Sequence, residues 1–144
     1  MKKCVILDLD GSIANDSLRA KDLKDKLISW RSYFLRSGED TVIRETLEFL
    51  RTIPDEIDII VSTGRPQFTK KVTKKWIEDH LEGIKIKDYL MRPNHSFIKN
   101  ERLKEQNLDI ILKKGYEVYV AIEDNPRAIE MYKRRKINVR EVKI

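Results

Sequence analysis

Three short runs of the chain are almost wholly apolar and rich in β-branched residues: CVILD (4–8), DIIVST (58–63) and VYVAIE (118–123). Runs of this length without polar alternation mark strands buried on both faces of a parallel sheet. KIKDYLM (85–91) and NVREV (138–142) are more mixed, as strands nearer the edges would be. Between these runs the period changes. Ile43, Leu47 and Leu50 fall at helical spacing, as do Phe68, Val72 and Trp76, continued by Ile77 and Leu81. Leu108, Ile111 and Leu112 make a third stripe, with Gly115 placed to stop it after Lys113 and Lys114. Asn125-Pro126 opens a last helix, Asn as N-cap and Pro at the first helical position, and Ala128, Ile129 and Tyr132 then face inward. These stripes predict core.

Strands alternating with helices predict βαβ crossovers. The expected fold is α/β: a Rossmann-like three-layer sandwich around a central, mostly parallel five-stranded sheet. No repeat, low-complexity tract or Pro/Gly-rich linker marks a boundary, so residues 1–144 read as one domain. Lys+Arg 30 against Asp+Glu 24 gives a net charge of +6. That balance favours nucleic acid, nucleotides or another anionic surface, although a well-solvated exterior accounts for it equally. No apolar stretch reaches the roughly 20 residues of a membrane span, and the first residues lack a signal-peptide pattern. Cys4 is the one cysteine, which fits a reducing, cytoplasmic setting, and at the start of a strand it reads as a small buried side chain.

In such folds ligands bind beyond the carboxyl ends of the strands. Strand one ends in Asp8-Leu9-Asp10-Gly11-Ser12, the second core strand in Ser62-Thr63-Gly64-Arg65, and the last core strand in Glu123-Asp124-Asn125-Pro126. Acids converging at one sheet edge repel unless a cation or a reaction offsets them. A hard divalent ion such as Mg²⁺ is the simplest offset. His80 and His95 read as surface residues, and nothing suggests zinc. Singly, each segment is an ordinary turn or cap. As an ordered set at core-strand ends they point to chemistry.

DLDGS, STGR, a lysine before the last core strand, and EDNP resemble, in order, the four motifs of the haloacid dehalogenase (HAD) superfamily of phosphotransferases. The resemblance runs from Asp8 to about Tyr132. It differs from the commoner pattern in Ser12 for Thr and Glu123 for a second Asp. It implies Asp8 as nucleophile forming an aspartyl-phosphate, and Asp10 as general acid and then base. It implies Mg²⁺ held by Asp8, Asp124 and the backbone carbonyl of Asp10, with Glu123 a ligand through water or an orienting group. Thr63 would bond a phosphoryl oxygen. The third-motif lysine is Lys104 or Lys99, and Lys104 is preferred because it leads the helix carrying Leu108 and Ile111.

Capped members insert a domain after the first motif or between the second and third. Here 52 residues separate Asp10 from Thr63 and 40 separate Thr63 from Lys104, too few for a folded cap once two helices and a strand are drawn from the first gap. An open site admits a large substrate, unless a homo-oligomer covers it. Arg19, Gly64 and Arg65, with MRP (91–93), RLKEQ and AIEDNPRAIEMYKRR, make the pattern similar to the 3′-phosphatase domain of phage-type polynucleotide kinase-phosphatases. By that likeness Arg19 and Arg65 hold the substrate beside the aspartates. No GxxxxGK[ST] kinase loop occurs. The basic runs TKKVTKKW (69–76) and YKRRK (132–136), and the mixed patch of Trp30, Arg31, Tyr33 and Arg36, would attract a phosphodiester backbone. The expected function is Mg²⁺-dependent phosphomonoester hydrolysis on nucleic-acid 3′ ends or nucleotides. The alternatives are an uncapped phosphatase of a small metabolite and a non-catalytic nucleic-acid-binding module.

Overall fold

The computed structural model describes residues 1–143. Its elements run β1 (Lys3–Leu7), β2 (Ala14–Asn15), α1 (Ser17–Lys24), α2 (Trp30–Leu35), β3 (Thr41–Val42), α3 (Arg44–Leu50), β4 (Asp58–Pro66), α4 (Lys70–His80), β5 (Ile86–Arg92), α5 (Asn100–Lys113), β6 (Glu117–Glu123), α6 (Pro126–Arg134) and β7 (Val139–Glu141). The main sheet has the order β5-β4-β1-β6-β7 with every pairing parallel, and β2 and β3 form a small antiparallel pair.

Alternation along β1 builds the three layers. Val5 and Leu7 face Leu50 of α3 and Trp76, Ile77 and Leu81 on or just after α4. Cys4 and Ile6 face Leu108 and Ile111 of α5 and Met131 and Tyr132 of α6. Cys4 is fully buried, and burial pushes its thiol up to about 12, as expected of a packing residue. Asn125 caps α6 by accepting from the N–H groups of Arg127 and Ala128, with Pro126 leading the helix. Gly115, at φ +92°, ends α5.

The departures are local. β4 runs three residues past its expected end, to Pro66, and a 3₁₀ turn (Gln67–Thr69) follows. Phe68 therefore lies ahead of the helix and half-exposed instead of in its apolar stripe. Between Asp10 and Thr63 lie three helices where two were expected, because residues 16–40 form α1 and α2 as an excursion from the β2–β3 pair. No cap domain stands over the sheet edge among the described residues. No helix among them is long and apolar enough to cross a membrane.

Candidate active site

Strand register decides what meets at the sheet edge. Leu7 is level with Val61 of β4 and Ile122 of β6, so the next residues out are Asp8, Ser62–Thr63 and Glu123–Asp124. Asp8 is buried. Its Oδ1 accepts from Lys104 Nζ at 2.5 Å and its Oδ2 from the Ser12 hydroxyl at 2.6 Å. Lys104, one turn into α5 and equally buried, also donates to Glu123 Oε1 at 2.6 Å. Burial acts to lower its pKa, but Asp8 and Glu123 outweigh that and hold the ammonium protonated above its ordinary range. Lys99 is exposed at the start of α5.

Asp10 points into a different environment. Its Oδ1 accepts from Arg19 Nη2 at 2.5 Å and Arg65 Nη2 at 2.7 Å, and Arg65 Nε lies 3.2 Å from both oxygens. Both arginines are buried. Arg19 is fixed by Asp40 at 2.8 and 2.7 Å and by the Tyr33 carbonyl at 3.1 Å, with the Tyr33 ring 4.3 Å from its guanidinium. Arg65 donates to Thr73 Oγ1 at 2.9 Å. Burial alone would raise Asp10, but Arg65 and then Arg19 hold its carboxyl below the usual range. The two arginines thus direct most of their donors at Asp10 and its supports.

Glu123 is buried, and its Oε2 accepts the N–H groups of Asp124 and Asn125 at 3.2 Å, which sets the loop ahead of α6. Carboxylate oxygens of Asp8, Glu123 and Asp124 lie within 4.8 Å of one another, whereas the Asp10 carboxylate is outside this trio. Burial, and then the Asp8 charge, push Glu123 up to about 7 and Asp124 up to about 8. Three acids facing one ammonium leave negative charge uncompensated and offer only hard oxygen ligands, a donor set that fits Mg²⁺. His80 and His95 are exposed. Gly11 makes this convergence possible. Its φ is +84°, and a Cβ there would run into the Asp124 carboxylate.

Thr63 is buried at the edge and accepts from Arg65 N at 3.1 Å, while a Cβ on Gly64 would sit 2.6 Å from Asn100 Oδ1. Above this floor opens a cleft of about 790 Å³, walled by α2 and by the β5–α5 loop. Arg92 fastens that loop, donating to the Gly64 carbonyl at 3.0 Å and the Ile98 carbonyl at 2.6 Å. The basic runs divide. Lys70, Lys71, Lys74 and Lys75 are exposed on α4, Lys75 paired with Asp79, and Lys133, Arg134 and Arg135 pair with Glu141, Glu105 and Asp109. In the mixed patch Tyr33 is buried and Arg36 pairs with Asp22, leaving Trp30 and Arg31 exposed.

Sequence reading missed Asp40, which lies in the polar stretch RSGED with no periodicity or motif to mark it. Its role exists only across the 21-residue jump to Arg19. Ser12 and Arg92 stood in quoted motifs without a stated role. Ser12 now has two partners, Asp8 and, at 3.4 Å, Asp124 Oδ1.

A family model described as "Polynucleotide kinase PNKP phosphatase domain" matches residues 2–144. The chain belongs to this family. No curated protein matches it in sequence. Among solved structures, a chain of the Pnkp1/Rnl/Hen1 RNA repair complex superposes with a TM-score of 0.80 at 18% identity, covering 99% of this chain and 42% of that one. The class C acid phosphatase from Bacillus anthracis gives 0.65 at 15% identity, covering 94% of this chain and 61% of that one. A haloacid dehalogenase-like hydrolase from Streptococcus pneumoniae gives 0.63 at 12%, covering 96% and 83%. The chain spans less than half the length of the Pnkp1 chains it overlays. Within this HAD phosphatase-domain family, DLDGS, STGR and EDNP are the ends of β1, β4 and β6, the three central strands of the sheet.

Proposed function

We propose that the chain is a Mg²⁺-dependent phosphomonoesterase that works through an aspartyl-phosphate on Asp8 and acts on phosphorylated nucleic-acid 3′ ends. The observation that carries this reading is the separation of two carboxylates only one residue apart into opposite electrostatic settings. Asp8 faces Lys104 among acids that can share a cation, and Asp10 lies against two guanidiniums. Unlike environments for two nearby acids are how one site runs nucleophilic and acid–base steps together.

Asp8 would attack phosphorus in line, forming the acyl phosphate while the P–O bond to the leaving 3′ oxygen breaks. Asp10 gives that oxygen a proton, and the dianionic phosphoryl beside it raises its proton affinity enough for the acid form to exist in the complex. Asp10, again a base and steadied by Arg19 and Arg65, then takes a proton from the water that hydrolyses the acyl phosphate. Lys104 and the Thr63 hydroxyl hold phosphoryl oxygens, and Ser12 keeps Asp8 aimed. Asp8, Asp124 and the Asp10 carbonyl would hold Mg²⁺, oriented by Glu123; the ion supplies charge neutralisation for the transferring group. Arg19 and Arg65 are proposed to act on substrate chiefly through Asp10.

Phosphate release with Mg²⁺ from a matched panel tests this: a 3′-phosphorylated oligonucleotide, its 5′-phosphorylated counterpart, 3′- and 5′-mononucleotides and a small aryl phosphate. Preference for the 3′-phosphorylated strand supports end healing, consistent with a similar fold in an RNA repair complex. Better turnover of the aryl phosphate would replace it with a general phosphatase. Binding without release from any member would leave a nucleic-acid-binding module.

A further inference from the structure

The mouth of the cleft carries aromatic rings that the fold does not bury. Trp30, at the start of α2, is 64% exposed; Phe97, in the β5–α5 loop, is 93% exposed; Phe68, in the turn after β4, is 38% exposed. All three line the cleft whose floor holds Asp8, Thr63 and Lys104. They come from three segments, yet those segments are tied together. The Arg31 guanidinium lies 5.0 Å from the centre of the Phe68 ring, and Phe68 N–H donates to Asn94 Oδ1 at 3.0 Å. Trp30 is steadied from behind by Phe34, stacked at 5.8 Å, and by Tyr33, edge-on at 5.6 Å. What remains is an indole fixed by its neighbours and open to the cleft.

Large rings left in water are unfavourable unless something covers them, and a rigid exposed ring is a ready stacking surface for any flat π system. The charges around these rings narrow the choice. Arg31 and Arg92 line the walls, while the cleft carboxylates lie on the floor, apart from Asp16, whose Oδ2 accepts from the Tyr33 hydroxyl at 2.6 Å. A molecule that is aromatic at one end and anionic at the other fits. A polyol phosphate would gain little from this mouth.

Resting on the phosphatase reading above, we propose that the mouth is a nucleobase subsite, in which the base of the nucleoside bearing the phosphate stacks on Trp30 with Phe97 packing against it from the loop. This subsite makes the open cleft selective without a cap. It places specificity on two segments that take no part in the chemistry.

Two readouts decide it. Trp30 is exposed and Trp76 buried, so stacking on Trp30 reports as quenching of indole emission. In the Asp8→Asn protein, adenosine 3′-monophosphate quenches saturably, glycerol 2-phosphate does not, and adding Trp30→Phe removes the signal. Equal behaviour of the two ligands overturns the proposal. In the active protein, the ratio of kcat/KM for adenosine 3′-monophosphate over glycerol 2-phosphate falls about tenfold in Trp30→Ala and in Phe97→Ala, and Trp30→Phe keeps most of it. Phe97 touches too little of the fold for its loss to act through unfolding. A ratio unchanged in both alanine variants, or both substrates slowed alike, assigns the rings a structural role and overturns the subsite. If neither substrate releases phosphate, release from the 3′-phosphorylated oligonucleotide decides the phosphatase reading and the quenching alone decides the subsite. Phosphate release without base-dependent quenching fails the subsite and leaves the phosphatase.

Discussion

Asp8 is one of three clustered carboxylates, two of which share one ammonium, whereas Asp10 lies between two guanidiniums. Neutralising each has a different outcome. Asp8→Asn should cut phosphate release by about 10⁴-fold or more, as loss of a nucleophile does. Its melting temperature should hold or rise, because repulsion with Asp124 and Glu123 falls; residual turnover near wild type would rule out a covalent route through Asp8. Lys104→Ala leaves buried Asp8 and Glu123 facing each other without their cation. It should lose roughly 3–5 kcal/mol of stability along with activity, while the exposed Lys99→Ala stays within about 0.5 kcal/mol. Denaturant titration checks the stabilities, and a greater loss of phosphate release in Lys99→Ala than in Lys104→Ala would transfer the third-motif role to Lys99. The meeting of Asp8, Asp10, Arg65 and Asp124 was legible because they follow or end core strands, whereas Lys104 on α5 and Arg19 on α1 were marked only by the family resemblance. Asp40 was not legible, since its meaning lies in a buried contact with Arg19 and in no local pattern.

At the scale of elements, the five strands of the main sheet and the helices α3 to α6 follow from the sequence pattern, whereas the short β2–β3 pair does not. Nor do α1 and α2. α1 buries only Arg19 and α2 only Tyr33, so no apolar stripe announced them. This excursion is pinned by polar contacts: Arg19 to Asp40, Tyr33 to Asp16, and the Trp76 indole N–H to the Asp40 carbonyl at 2.8 Å. Asp40→Asn keeps the shape but takes the compensating charge from a buried guanidinium. It should cost roughly 3 kcal/mol, or about 10 °C in melting temperature. It should also slow turnover, since Arg19 would no longer be held against Asp10. A variant that melts like wild type would show that the excursion is secured elsewhere.

For the molecule as a whole, the acidic edge ties stability to pH and to metal. Asp124 titrates near 8 in the folded chain against an ordinary 3.8, and Glu123 near 7 against 4.5. Groups raised on folding contribute stability that is complete below their unfolded values and lost as pH climbs through the folded ones. Asp10, held low, contributes in the opposite sense, at the acid end. Without divalent ions the melting temperature should therefore fall between about pH 5 and about pH 9, and added Mg²⁺ should raise it more at the upper end, where the acids are ionised. Thermal scans with and without chelator check this; a flat, metal-indifferent profile would remove the cation from the site. The strand order carries a consequence for how the protein comes into being. Asp8 is made almost first, and its neighbours at and just past the end of β6 are made 115 and 116 residues later, so the site has no partial form. It exists only once β1 has been flanked on both sides, and the β6 side is the longest-range closure of the three central strands. On refolding, activity should return with the slowest phase of that assembly and never ahead of it.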